Sequence, residues 1–252
     1  MKLSFSIIDH CALVPGLGSS EALAAWAASP SPVVDPSAPV EGPRRLPMMR
    51  ARRMSRGIRH AVECSLELME RSGTPDAVVF SSRHGELARG EKLLKAIALG
   101  EPVSPTDFMM SVHNAAAGML TIEKHLMVPA SSVAAGADSF TAALTEAAAM
   151  LVAGRSRVLV VDFESALPDI VGSSFEAGVP SFDYAVGFVL AAPGEEGTVC
   201  TMDAAFDYTG RGEPGVPPAI AFLHALESGA GEALVTGAQC TSRFTFHGED
   251  GR

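Results

Sequence analysis

One stretch constrains this chain more than any other. PASSVAAGADSFTAALTEAAAMLVAGRSRVLVVDFE runs from Pro129 to Glu164 and reads as a short strand, a tight turn, an Ala-rich helix and a second strand. The run Arg157–Phe163 is almost continuously apolar, as expected of a strand buried on both faces. A strand-turn-helix of this kind is a common way to present a nucleophile. Yet the turn holds Ala135, Gly136, Ala137 and Asp138. The platform is present and the expected reactive side chain is not.

The segments around it repeat the alternation. Leu3–Leu13 reads as a first strand, ended by Pro15 and Gly16, and Ser19 or Ser20 can cap a helix through Trp26. Ser29–Pro47 is a proline-rich loop. Met54–Arg71 is an amphipathic helix with Ile58, Ala61, Val62, Ser65, Leu66 and Met69 on its inner face, closed by Gly73. Asp76–Ser81 is a short buried strand. Gly85–Leu99 is a helix with Leu87, Leu94 and Ile97 inward. Phe108–Met127 is predicted as one helix, capped by Thr106 or Asp107. Phe182–Ala192 and Thr198–Asp207 are predicted to pair antiparallel across the turn Pro193–Gly197. Pro217–Leu226 is a last helix and Cys240–Phe246 an edge strand. Strand and helix alternate through the first two thirds, which predicts an α/β fold: a mostly parallel mixed sheet with helices on both faces and an antiparallel addition. No repeat or linker divides it, so residues 1–252 are expected to form one domain.

A formal net charge of -10 argues against generic nucleic-acid binding. No stretch reaches the roughly 20 apolar residues of a membrane helix, and the N-terminus lacks the apolar centre of a signal peptide, so a cytoplasmic location is expected. Cys11, Cys64, Cys200 and Cys240 are far apart, and the seven histidines show no paired spacing. Reduced, buried thiols are expected, with no metal site and no cofactor.

The segment Ser104–Leu126 carries the other notable constellation. Ala115-Ala116-Ala117-Gly118 is a helix surface almost without side chains, suited to close backbone approach, with His113 and Asn114 just before it. His113 is a candidate acid–base group, but without a partner at a telling spacing the plainer reading, a hydrogen-bonded structural histidine, outweighs it. Asp138 is a candidate base, although a helix N-terminus favours an anionic residue for structural reasons alone. Cys64 reads as a buried thiol. Ser131, Ser132 and Ser139 lack a visible histidine partner.

These blocks resemble a known family. Pro105, Asn114, Ala117, Gly118, Pro129, Ser132, Ala134, Ser139, Gly154 and Glu164 match the N-terminal half of β-ketoacyl synthases, without a gap between Val103 and Gly154. The strand DYAVGFVLAA is similar too. "SVHNAAAGM" with "SSVAAGADSF" resembles, more narrowly, the ketosynthase-like chain-length factors of aryl-polyene and related type II polyketide systems. The resemblance implies a thiolase-like half-fold. It places the position of the acyl-accepting cysteine on Ala137, where a methyl group cannot attack a thioester. The family's two catalytic histidines belong to the second half of the fold, beyond Arg252, and His113 matches neither. No catalytic residue is therefore expected.

What the resemblance implies instead is a non-catalytic subunit. It would form a heterodimer with a complete β-ketoacyl synthase and help shape the tunnel in which a polyene, polyketide or fatty-acid-type chain grows. The strand Ser131–Ala135 would pair across the dimer, with His113, Asn114, Ala117, Gly118, Ser131, Ser132, Val133 and Ala134 at the subunit interface. The tunnel candidates are Gly90, Leu93, Leu94, Phe108, Met109 and Met110, with Gly90 leaving room where synthases often carry a bulkier residue. Arg44, Arg45, Arg50, Arg52, Arg53, Arg56 and Arg59 crowd one segment of an acidic chain. They are candidates for docking an acidic acyl carrier protein or the partner synthase, or for pairing with the chain's own acids. No aromatic residues interleave them as RNA binding would favour. The rival readings are a scaffold that gathers carrier protein and biosynthetic enzymes, and an acyltransferase or thioesterase with an unrecognised nucleophile.

Overall fold

The computed structural model describes residues 2–40, 45–168, 182–194, 198–206 and 216–247. In chain order the elements are β1 (Lys2–Leu13), α1 (Ser20–Ala27), α2 (Met48–Ala51), α3 (Arg56–Ser72), β2 (Ala77–Ser81), α4 (Leu87–Leu99), α5 (Pro105–Met109), α6 (Ala115–Lys124), β3 (Ala130–Val133), α7 (Ser139–Val152), β4 (Arg157–Glu164), β5 (Tyr184–Ala191), β6 (Thr198–Phe206), α8 (Pro218–Glu227), β7 (Glu232–Thr236) and β8 (Cys240–His247). The strands form one eight-stranded sheet in the order β3-β2-β4-β5-β1-β6-β8-β7.

The sheet is mixed, with helices on both faces, as the alternation of segments implies. It is not mostly parallel. Only β2–β3 and β2–β4 pair in parallel; β1–β5, β1–β6, β4–β5, β6–β8 and β7–β8 are antiparallel. The predicted hairpin of β5 with β6 does not form either, because β1 lies between them and pairs with both. Strands adjacent in sequence are here separated by the first strand of the chain, a long-range pairing that local turn signals do not encode. Cys240–His247 is likewise not an edge: β7, which the sequence reading passed over, covers it from outside.

The central strands are buried on both faces, as their apolar runs require. In β4, Val158 and Val160 face one core and Leu159 and Val161 the other. The first core packs the sheet against α7, α8 and α1 through Phe140, Leu144, Phe188, Phe222 and Trp26. The second packs it against α3 and α6 through Ile58, Val62, Leu68, Ala116 and Leu120. Helix α3 starts where Ser55 accepts from the Ile58 amide, and stops at Gly73.

Two helix expectations need correction. Phe108–Met127 is not one helix. Ser104 caps a short α5 and Ser111 Oγ donates back to the Phe108 carbonyl at 2.8 Å, which breaks the chain before α6 begins at Ala115. In α4 the apolar residues do not face a core. None of its residues is buried, and Leu94 and Ile97 are 68% and 62% exposed. An ion-pair network holds this helix instead: Arg89 reaches Glu86 at 3.1 Å and Asp107 at 2.8 Å, and Lys92 also pairs with Asp107.

Candidate functional site

The platform folds as its sequence predicts. Strand β3 runs into a turn in which Gly136 has φ 60°, a conformation a side chain would strain, and α7 follows. Ala137 sits at the bend and is buried. Its methyl offers neither a lone pair nor an ionisable proton, so no covalent intermediate can form on it.

Most neighbouring groups with reactive atoms are occupied. Ser139 Oγ accepts from the Ala135 amide at 2.9 Å and donates to the Gly136 carbonyl at 2.7 Å, closing the turn. Ser131 Oγ donates to Glu146 at 3.0 Å. Asp138 faces the other way: its carboxylate accepts from the amides of Gln239 at 2.8 Å and Cys240 at 3.0 Å. It thereby fastens the β7–β8 turn to the start of α7. A Cβ on Gly237 would lie 1.9 Å from this carboxylate, so the turn needs glycine there. Cys64 lies on the buried face of α3, its thiol pushed up by burial and hydrogen-bonded to the Cys11 carbonyl at 3.5 Å. That environment opposes the thiolate a nucleophile needs. All four cysteines are buried and unbridged.

Behind Ala137 lies a feature the sequence reading did not single out as a site. Asp162 and Glu164, two residues apart on β4, point to the same side of the sheet. Asp162 accepts from Ser81 Oγ at 2.5 Å and from the Tyr184 hydroxyl at 2.8 Å. Glu164 accepts from Ser82 Oγ at 3.1 Å and from the amides of Arg83 and His84. Burial pushes Asp162 up to about 6, and burial with the charge of Asp162 pushes Glu164 up to about 8. Together with Ala137, Arg83, His84 and Tyr184 they line a cavity of about 40 Å³. That volume suits a water molecule and is far too small for an acyl chain. An acid set into the apolar run VLVVDFE was the available signal, since a carboxylate in a doubly buried strand requires partners.

The interface candidates divide. Among the described residues strand β3 bonds only to β2. The Val78 amide bonds the Pro129 carbonyl and the Ser82 amide the Val133 carbonyl, so by the alternation of a parallel ladder the backbone groups of Ala130 and Ser132 point outward, away from β2. Ser131, Ser132 and Val133 are half-buried, Ala134 is exposed, and Ser132 Oγ has no hydrogen-bond partner among the described residues. His113 Nε2 lies 3.0 Å from the Val133 carbonyl, tying the end of β3 to the loop before α6; Asn114 is exposed. Ala117 is buried in the α3–α6 core and Gly118 is half-exposed. The small residues of α6 thus pack largely within the chain.

Of the tunnel candidates, Phe108, Met109 and Leu94 are exposed, Leu93 and Gly90 are half-exposed, and Met110 is a core residue under α3 and α6. A Cβ on Gly90 would meet nothing within 4 Å. The described chain therefore contains one exposed wall at these residues rather than an enclosed tunnel.

The arginines also divide. Arg45 pairs with Glu70 at 2.7 Å and with Glu63 and Glu67 at 3.4 Å. Arg50 pairs with Glu123, and Arg56 lies 3.6 Å from Asp183. Arg59 donates to the Met54 carbonyl and Arg52 to Met48 Sδ. Among the described residues Arg52, Arg53 and Arg59 have no carboxylate partner; Arg44 lies outside those residues. No helix among them is long and apolar enough to cross a membrane.

Known proteins match this arrangement. The chain aligns over 96% of its length, at 39% identity and TM-score 0.88, with a chain from the structure of a ketosynthase (ApeO) in complex with its chain length factor (ApeC) from Xenorhabdus doucetiae, and spans 99% of that chain. The ishigamide ketosynthase/chain length factor is similar in fold at TM-score 0.74 and 14% identity, over 97% of this chain and 99% of that one. So is a chain of AntDE:AntF, a type II polyketide acyl-carrier protein in complex with its ketosynthase, at TM-score 0.74 and 10% identity, over 98% and 99%. No curated protein matches the sequence. The profile of the β-ketoacyl synthase N-terminal domain matches residues 23–241, and the chain belongs to that family.

Proposed function

We propose that this chain is a chain-length-factor-type subunit. It pairs with a complete β-ketoacyl synthase, carries out no covalent chemistry itself, and helps shape the acyl tunnel during elongation of a polyene, polyketide or fatty-acid-type chain. The observation that carries the reading is Ala137: the nucleophile platform is complete, and its apex is a methyl group. The likeness at 39% identity to a chain from a ketosynthase–chain length factor complex supports the same assignment.

The surface supports a partner. Side chains of α4, α5 and their flanks are open to solvent: Leu94, Ile97, Leu99, Phe108, Met109 and Val112. Exposed apolar residues and an uncapped strand edge are what an interface covers. We assign the outward backbone groups of Ala130 and Ser132 to pairing with the synthase. Gly90, Leu93, Leu94, Phe108 and Met109 form one wall of a tunnel that the synthase closes; Met110 belongs to the core. Arg52 and Arg53, which meet no carboxylate among the described residues, are the ones we assign to an acidic carrier protein, whereas Arg45 and Arg50 serve the fold. The whole chain acts as one domain, and the pair works in the cytoplasm.

Co-expression with a synthase tests this. The two chains should co-purify at equal stoichiometry, and Gly90→Phe should shorten the products made by the pair. A chain that purifies alone and changes neither synthase activity nor product length defeats the reading. Unchanged length with Gly90→Phe in an intact complex defeats only the tunnel assignment.

A further inference from the structure

A second cavity, of about 430 Å³, lies away from the platform, between α3 and the proline-rich loop. Pro15 and the stretch Pro36–Val40 form one side, and Arg56, Arg59, His60 and Asp183 the other. Four of the lining side chains are ionisable. His60 is 7% exposed, and its Nδ1 has no hydrogen-bond partner among the described residues. A buried ring nitrogen without a partner costs stability, and is the kind of group a ligand satisfies. Burial lowers the affinity of this imidazole for a second proton, more than the charge of Asp183 restores it, so near neutral pH it acts as a neutral donor or acceptor.

The surrounding charges favour an anion. Arg59 uses its Nε on the Met54 carbonyl at 3.1 Å and meets no carboxylate among the described residues. Arg56 is held 3.6 Å from Asp183, and its side chain is 75% exposed. Among the described residues Asp183 is the one acid lining the cavity, and it also accepts from the Ala166 amide at 3.1 Å. The first-turn amides of α3 are already in use: Gly57 N donates to Ser165 Oγ and Ile58 N to Ser55 Oγ, each at 3.2 Å. The site therefore rests on side chains, not on a helix terminus.

We propose that Arg56, Arg59 and His60 form a binding site for a phosphate-type anion. Two guanidinium groups supply planar donors that suit phosphate oxygens, and the imidazole adds one more hydrogen bond from within the wall. The cavity is more than ten times the ~30 Å³ share of a water molecule, so it accommodates a phosphate together with part of the organic group it esterifies. The site is independent of the platform and of the chain-length-factor reading.

The test is the melting temperature of the full chain, or of its complex with the synthase, in rising inorganic phosphate and, separately, glycerol 3-phosphate. Sodium chloride keeps the ionic strength constant. Saturable stabilisation is expected from phosphate and not from chloride. Arg59→Gln and His60→Gln should each weaken it about tenfold, and the exposed Arg56→Gln about threefold, while leaving the ligand-free melting temperature of Arg56→Gln unchanged. Tighter binding of glycerol 3-phosphate identifies a phosphoester site; equal binding identifies a site for the free anion. Stabilisation that does not saturate, or that Arg56→Gln and His60→Gln both retain in full, overturns the proposal.

Discussion

Helices α7 and α4 are both rich in apolar residues, and they meet opposite fates. In α7, Phe140, Ala143, Leu144, Ala147, Ala148 and Leu151 are buried against the sheet. In α4 no residue is buried, and Leu94, Ile97 and Leu99 face solvent. One flank of the molecule is finished by its own chain. The other, at α4 and α5, is left open. Apolar area of this kind loses the favourable transfer from water, roughly 25 cal/mol per Å², unless something covers it. Helix α7 follows the methyl apex of the platform, whereas α4 and α5 present the apolar surface that the proposed function assigns to a partner.

Truncating one phenylalanine on each flank breaks this contrast or sharpens it. Phe140→Ala removes a ring buried against Phe188 and Phe222 and should cost about 3–5 kcal/mol in denaturant unfolding. Phe108→Ala should lie within about 0.5 kcal/mol of the parent chain, yet weaken synthase binding about tenfold or more. Equal destabilisation by the two would mean that α5 is already packed.

A smaller effect is expected at the junction between platform and sheet. Asp138→Ala removes a carboxylate that two amides share, and should cost about 1.5–3 kcal/mol of stability if the contacts behave as a charge-assisted hydrogen bond, read again by denaturant unfolding. An unchanged midpoint would show that the β7–β8 turn is held by other contacts.

The buried acids add a contrast in pH dependence. Glu164 has a folded pKa near 8, above its ordinary value of 4.5, and Asp162 one near 6, above 3.8. The folded state therefore binds these protons more tightly than the unfolded chain does. Their contribution to stability is complete below the ordinary values and is lost as pH rises through the folded ones. The melting temperature should fall between about pH 4 and pH 8 from this source, and Glu164→Gln should flatten the upper part of that fall, between about pH 6 and pH 8. A Glu164→Gln profile parallel to the parent's would place the titration elsewhere.

Much of this was legible in the residues. The strand-turn-helix-strand from Pro129 to Glu164 folds nearly as its periodicity reads, because turn, cap and apolar run agree there. The sheet order was not legible: β1 inserts between β5 and β6, and no local pattern records a pairing across nearly the whole chain. Periodicity also found α4 but could not say what covers its apolar face, since an interface and a core share the same spacing. At the site, the methyl group of Ala137 at the apex of the turn was readable in the sequence, and the family resemblance gave it its meaning. The bond from Asp138 to the β7–β8 turn and the partners of Asp162 and Glu164 were not, because each joins residues distant in sequence.

The central claim is that chemistry happens in the partner and not on this chain. The direct measurement is acyl labelling of the co-expressed pair with a radiolabelled acyl thioester, followed by denaturing separation of the two chains. The account predicts label on the synthase alone, with this chain unlabelled yet required for full product length. Label retained covalently on this chain, or full-length product from the synthase without it, would contradict the account.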